Sequence, residues 1–189
     1  MNAFITFYPG CIEFEVLLAA ELAGPTYPVR IATPDGKDHK SANGITYKAD
    51  CSYSTASSND IALLLVPGGD PSSVVDNEDL SRLVQTVHKQ SKTIGAICAG
   101  PFVLAQAGIL KGKKIAHGYE QEQLDYLHSK NYFHETHLTD DLLQIDGNII
   151  TAKPQAYVEF AIEIARASRA VSEDDRLQKL LQFYKGKKG

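Results

Sequence analysis

The sequence predicts an α/β sandwich, a mostly parallel sheet with helices on both faces, and three observations carry that expectation. The run Ile61-Ala62-Leu63-Leu64-Leu65-Val66 is apolar at every position, as a strand covered on both faces must be. Strand-like runs alternate with amphipathic helical segments along the chain. Glycine-bearing turns then follow the apolar runs at Pro9-Gly10, Pro67-Gly68-Gly69 and Ala99-Gly100.

Each element follows from local pattern. Residues 3–7 form a short apolar strand closed by Pro9-Gly10, and Ile12, Val16, Leu17, Ala20 and Ala23 recur with helical period up to Gly24. Residues 27–32 read as the second strand. A turn-rich stretch with Pro34-Asp35-Gly36 and Asn43-Gly44 leads to a peripheral strand over 45–49, and 52–59 reads as a loop. After the 61–66 strand, a helix over 77–90 buries Leu80, Leu83, Val84 and Val87. The run 93–98 is the next strand, with a helix behind it that closes near Gly108. A short strand at 114–117 and a helix at 121–128 come next. Residues 134–139, 142–145 and 148–151, the last two joined by an Asp146-Gly147 turn, suggest an antiparallel margin. Helices over 155–167 and 173–184 follow. No repeat or low-complexity linker divides the sequence, and 189 residues suit one core, so a single domain over 1–189 is expected.

Composition narrows the function. With 43% hydrophobic and 22% charged residues the chain reads as an ordinary globular protein. A net charge of -4 argues against a nucleic-acid surface, and the basic cluster Lys185-Gly186-Lys187-Lys188 reads as a solvated tail. Neither a bilayer-length apolar stretch nor a signal-peptide pattern is present, so no membrane partner is expected and the cytoplasm is the expected address. Cys11, Cys51 and Cys98 have no short spacing that would suggest a disulfide framework or a zinc knuckle. Reduced thiols are expected, with no metal and no cofactor.

Cys98 is the most informative residue. It ends a predicted strand and a helical pattern begins directly behind it. The small residues Ala96 and Gly100, two places either side, are what a nucleophile elbow requires where the chain reverses. Such a turn holds the sulfur proud of the sheet near a helix N-terminus, which favours thiolate and predicts a depressed pKa. The plainer alternative is a buried core cysteine.

Ligands in this architecture bind beyond the carboxyl ends of the strands, where the turns at 9–15, 67–70 and 98–101 converge. Backbone N–H groups at a glycine turn can receive the negative charge that develops when a thiolate attacks a carbonyl. Gly69 is one candidate donor and Ala99, directly after the cysteine, is the second. Glu13 and Glu15 flank Phe14 just inside the first helix. Either reads plainly as N-terminal helix decoration, but a desolvated carboxyl with a raised pKa could hydrogen-bond a thiolate or shuttle a proton. His117, at the end of the next predicted strand, makes a Cys-His couple available. His134-Glu135-Thr136-His137 is not expected to bind metal, because histidines three apart in a strand face opposite sides and no third ligand stands near. His39, His88 and His128 read as surface residues.

Together these residues resemble the ThiJ/PfpI superfamily of class I glutamine-amidotransferase-like proteins. The marks are Gly10-Cys11-Ile12-Glu13-Phe14-Glu15, Val66-Pro67-Gly68-Gly69, Ala96-Ile97-Cys98-Ala99-Gly100-Pro101, and the segment Ala107-Gly108-Ile109-Leu110-Lys111-Gly112-Lys113-Lys114 leading to His117. The resemblance extends to about Ala167. It implies a flavodoxin-like three-layer fold, Cys98 as nucleophile and redox-active thiol, Glu15 as its carboxyl partner, His117 as the neighbouring imidazole, and Gly69 and Ala99 as oxyanion donors. Glu15 is preferred over Glu13 because the family's acid stands five places after the glycine.

The resemblance also implies a homodimer and an enzyme acting on small reactive carbonyls, of glyoxalase or deglycase type. A non-enzymatic redox sensor or stress chaperone is the alternative, with isocyanide hydratase or amidotransferase-like activity behind it. Protease-like members carry histidine where this chain has Ala99, and isocyanide-hydrating members generally carry aspartate in place of Glu15. None of the six histidines has a glutamate two places on, as the related glutaminases require.

Overall fold

A computed structural model describes residues 1–186; Lys187 and Lys188 of the expected basic tail lie outside them. In chain order the strands are β1 (Asn2–Thr6), β2 (Cys11–Ile12), β3 (Val29–Thr33), β4 (His39–Lys40), β5 (Thr46–Tyr47), β6 (Cys51–Ser52), β7 (Ile61–Val66), β8 (Gly68–Gly69), β9 (Thr93–Ile97), β10 (Lys114–Ala116), β11 (His137–Thr139), β12 (Leu143–Asp146) and β13 (Ile149–Ala152). The α-helices are α1 (Phe14–Ala23), α2 (Glu78–Lys89), α3 (Pro101–Gln106), α4 (Gln121–Ser129), α5 (Tyr157–Ala167) and α6 (Asp174–Tyr184).

Seven strands form the main sheet in the order β12-β13-β9-β7-β1-β3-β6. All pair in parallel except β12, which meets β13 in an antiparallel hairpin across the Asp146-Gly147 turn. β7 sits between β1 and β9, with Leu64 opposite Phe4 on one side and Ile94 on the other. Its six residues are all buried, because α1 and α5 pack together on one face and α2 and α3 lie on the other. Complete burial of Leu63, Leu64 and Leu65 stabilises the sheet by about 1.5–3 kcal/mol each.

The two faces are built from different helices. α2 is amphipathic: Leu80, Leu83, Val84 and Val87 turn inward, and Asn77 caps its start by accepting the Leu80 N–H at 2.8 Å. α1 is apolar nearly all round, so it packs against α5 while still leaving Phe14 and Leu17 exposed. Among the described residues no helix is long and apolar enough to cross a membrane.

Several expectations are corrected. The stretch 52–59, read as a loop, begins with Ser52, the second residue of β6, which extends the main sheet through Ala32–Cys51 and Thr33–Ser52 pairs. The peripheral strand at 45–49 shortens to β5 and pairs only with β4, in a separate ribbon. β11 is no part of an antiparallel margin: it runs parallel to β10 in its own two-stranded sheet, and β13 pairs in parallel with β9. His134 precedes β11 in a turn, so opposed strand faces are not what separates it from His137. Of the three histidines read as surface residues, His128 is exposed, while His39 and His88 are half-buried.

Candidate active site

Three chain reversals meet at the carboxyl ends of β1, β7 and β9. After β9, Cys98 takes a φ of +61°, a left-handed conformation that costs a non-glycine residue about 1–3 kcal/mol and persists only where the surroundings impose it. The surroundings here are backbone hydrogen bonds: Cys98 N–H to Ala152 at 2.9 Å, Gly100 N–H to Ile97 at 2.8 Å, and Gly118 N–H to the Cys98 carbonyl at 2.8 Å. The need for a small residue two places after the cysteine is steric, since a Cβ on Gly100 would lie 2.6 Å from the Val66 carbonyl oxygen.

The other two reversals are clamped together. β2 and β8 pair antiparallel, Cys11 opposite Gly69 and Ile12 opposite Gly68. Gly69 has a φ of +95°, and a Cβ there would lie 2.3 Å from the Gly10 carbonyl oxygen. The buried Tyr8 hydroxyl lies 2.8 Å from the Pro67 carbonyl and 2.9 Å from that of Gly68, pinning the same turn from beneath. This ribbon delays the first helix from the expected Ile12 to Phe14, and so turns Glu15 inward.

Glu15 is 2% exposed. Its Oε2 accepts the Gly68 N–H at 2.9 Å, and its carboxyl hydrogen-bonds the Cys98 thiol. The backbone N–H groups of Gly69 and Ala99 favour the charged form of the half-buried Cys98 as hydrogen-bond donors. Glu13 is also buried but serves another end, its Oε1 accepting from the Asn43 side chain at 3.0 Å.

The electrostatics reverse one expectation. Burial, then the Glu15 charge and its hydrogen bond, push the Cys98 thiol up to about 12, against an opposing pull from the Gly69 and Ala99 N–H groups. The direction is opposite to the one expected from a helix terminus; α3 itself starts at Pro101, three residues beyond the cysteine. Burial likewise raises the Glu15 pKa, opposed by its hydrogen bonds to Cys98 and Gly68. Burial thus disfavours the charged form of both groups. Moving a proton from sulfur to an ionised carboxyl leaves the net charge unchanged and converts Glu15 from acceptor to donor.

His117 stands apart. It is buried, its Nδ1 accepts the Tyr119 N–H at 3.2 Å, and its ring stacks on Tyr119 with centroids 5.4 Å apart. Burial and, after it, Lys153 lower its pKa, which keeps the ring neutral near pH 7. It makes no hydrogen bond to Cys98; the link between them is Gly118, whose N–H holds the Cys98 carbonyl. His117 lines a separate cavity of about 600 Å³ with Asp140 and Lys153. Among the described residues no cluster of histidine, cysteine and carboxylates could hold a metal ion.

Gly68 and Tyr119 escape a reading of the sequence. A Cβ on Gly68 would lie 2.5 Å from the Cys98 Cβ and 2.6 Å from Glu15 Oε2. The Tyr119 hydroxyl donates to the Ala99 carbonyl at 2.7 Å and accepts the Phe102 N–H at 2.8 Å, bracing the elbow from outside. The only local signal was the double glycine after Val66, which does not say which glycine is crowded.

A strained turn after a parallel strand, carrying a thiol against a buried acid at the carboxyl edge of the sheet, defines an α/β protein of the elbow class. The chain belongs to the DJ-1/PfpI family, whose model matches residues 2–167. It is 36% identical to an uncharacterized protein of Methanocaldococcus jannaschii over 109 residues, 57% of this chain and about half, 51%, of that protein's length. A shorter match, 32% identical over 73 residues, covers 38% of this chain and 44% of a protein named deglycase PfpI from Pyrococcus furiosus. The crystal structure of a DJ-1 superfamily protein from Agrobacterium tumefaciens superposes with a TM-score of 0.77 at 26% identity, covering 98% of each chain. The flavodoxin-like sandwich expected from sequence is the fold of this family.

Proposed function

We propose that the protein acts on small reactive carbonyls, as a glyoxalase or deglycase does. Cys98 is the nucleophile, Glu15 carries protons, the Gly69 and Ala99 N–H groups receive the developing oxyanion, and His117 orients the elbow through Gly118. The observation behind this reading is the convergence of the buried Glu15 carboxyl, Cys98 and the Ala99 nitrogen on one face of Gly68, whose N–H holds Glu15 Oε2 at 2.9 Å. The partial likeness to a protein named a deglycase supports it.

For an α-oxoaldehyde, the sulfur bonds to the aldehyde carbon while Glu15 takes the thiol proton and passes it to the new alkoxide, giving a hemithioacetal. Glu15 then takes the proton from that carbon and returns it to the neighbouring ketone carbon through an enediol. The sulfur-bound carbon becomes a thioester carbonyl and its neighbour an alcohol. One carbon is oxidised and the other reduced by the same two electrons, so no external oxidant is needed. Water cleaves the thioester, releasing a hydroxy acid and restoring the thiol. Methylglyoxal consumption with hydroxy-acid formation tests the reading. Cys98→Ser and Glu15→Gln should each cost at least about 100-fold in kcat; a wild-type protein without turnover, or an active serine variant, overturns it.

A second reading uses the same contacts without turnover. Protonated Glu15 and the two N–H groups suit the oxygens of an oxidised sulfur, so Cys98 would serve as a redox sensor through its sulfenic or sulfinic acid. Stoichiometric oxidation by peroxide with no carbonyl consumption would favour it. In either case we propose a homodimer, supported by the exposed apolar face of α1, where Phe14 meets Tyr157 edge-on at 6.0 Å. Sedimentation of Leu17→Glu as a monomer tests it, and an unchanged assembly would refute that face.

A further inference from the structure

We infer that the cavity beside Cys98 receives the non-reacting arm of the substrate, and that this arm is apolar or aromatic and bears no negative charge. The inference deepens the carbonyl reading and takes from it the identity of the reacting sulfur. The cavity measures about 1030 Å³. That is at the upper end of pockets for drug-sized ligands, about 300–1,000 Å³, and far more than a three-carbon dicarbonyl needs.

Its position ties it to the chemistry. Gly69 and Ala99 form one wall, and the Gly68 turn beside them lies against Cys98, whose Cβ would be 2.5 Å from a Cβ placed on Gly68. Cys98 itself stands behind that wall, so a carbonyl bonded to its sulfur would send its substituent past Gly69 and Ala99 into the cavity. The far side is aromatic, with Phe102, Tyr119, Tyr126 and Tyr132. Phe102 and Tyr132 lock edge-on at 4.8 Å, which fixes the shape of that side. Tyr119 spends its hydroxyl on Ala99 and Phe102, so only its ring remains for a ligand. Tyr126, 60% exposed, stands at the rim.

Charge sets the second half of the inference. The ionisable side chains lining the cavity, phenols aside, are the carboxylates Asp70 and Glu122, with no lysine, arginine or histidine among its walls. Lys130 rests 5.8 Å from the Tyr126 ring but does not line the space. A carboxylate or phosphate on the arm would be repelled and left unpaired. His117 and Lys153, which would pair with such a group, line the other cavity.

The test uses the Cys98 thiol and needs no turnover. The wild-type protein is treated with N-phenylmaleimide, N-methylmaleimide and N-carboxymethylmaleimide, and modification at Cys98 is followed by peptide mass spectrometry. Each rate is divided by that of glutathione with the same reagent. The phenyl reagent should be favoured over the methyl by about tenfold, and the anionic one should fall below the methyl. Tyr126→Ala, at an exposed position that does not threaten the fold, should lower the phenyl rate by about threefold more than the methyl rate. Equal normalised rates for phenyl and methyl, or a favoured anionic reagent, overturn the inference. Phenylglyoxal and methylglyoxal are then compared as substrates, with phenylglyoxal expected to have the higher kcat/KM. If neither is consumed while the maleimide preference holds, the carbonyl reading falls and the pocket stands.

Discussion

Gly68 and Glu15 lie 53 residues apart in sequence, yet the Gly68 N–H donates to Glu15 Oε2 at 2.9 Å, and a Cβ at position 68 would approach that oxygen to 2.6 Å. The same Cβ would meet the Cys98 Cβ at 2.5 Å and the Ala99 nitrogen at 2.9 Å. Acid, thiol and elbow amide all crowd one face of one glycine.

Gly68→Ala therefore has no room. Glu15 Oε2 can swing away, but the Cys98 Cβ and the Ala99 nitrogen are fixed to the backbone, so the turn itself must shift. We expect a loss of about 1–3 kcal/mol in urea unfolding. Alkylation of Cys98 should change with it, because the Glu15 contact is displaced. A variant with wild-type stability and wild-type alkylation would show that the turn is slack.

Glu15→Gln separates the two causes that raise the Cys98 pKa. Burial, the larger, survives the substitution, while the carboxylate charge and its acceptor hydrogen bond are removed. The thiol should then titrate below its present value of about 12 but above the ordinary 9.0. Thiolate ultraviolet absorbance against pH measures this. Alkylation near pH 9 should speed up in the same variant that loses turnover, which a merely misfolded site would not do.

The same substitution carries a stability signature. The Glu15 pKa is raised by burial above the ordinary 4.5, so the folded protein binds a proton that the unfolded chain releases. Its contribution is fully present below pH 4.5 and is lost as pH rises through the folded pKa. Relative to wild type, Glu15→Gln should grow more stable as pH climbs from 4 towards 7. Urea midpoints across that range read the difference, and a flat or opposite trend would mean that the carboxyl is not buried as an acid.

The legible parts of this molecule were those whose physics is local. β7 declared itself because all six of its residues must be apolar to be covered twice, and α2 because its stripe and its Asn77 cap fall in one short window. The Cys98 turn was readable because the steric demand for Ala96 and Gly100 acts within two residues. What stayed hidden depends on distant partners. β6 is two polar-flanked residues that become a strand only through β3, and β10–β11 pairing needs the intervening α4 to be placed first. Glu13 and Glu15 are both buried, so patterning alone could not tell which one meets sulfur. The direction of the Cys98 shift is not legible in the sequence because burial sets it first and the Glu15 carboxylate second, and both depend on residues far along the chain.

Tyr119 offers the clearest check that the elbow is braced and not merely folded. Its hydroxyl bridges the Ala99 carbonyl and the Phe102 N–H, two groups on either side of the start of α3. Tyr119→Phe keeps the ring, and with it the stacking on His117, but leaves the Phe102 N–H and the Ala99 carbonyl only their direct hydrogen bond to each other at 3.1 Å. The net loss of a hydrogen bond costs about 0.5–1.5 kcal/mol, so the stability read from urea unfolding should fall by an amount in that range. Because Ala99 also presents its N–H to sulfur, loosening this bridge should weaken that contact and reduce kcat for methylglyoxal more than it raises KM. Equal stability with unchanged kcat would mean that the elbow holds its shape from the Cys98, Gly100, Phe102 and Gly118 backbone hydrogen bonds without the hydroxyl.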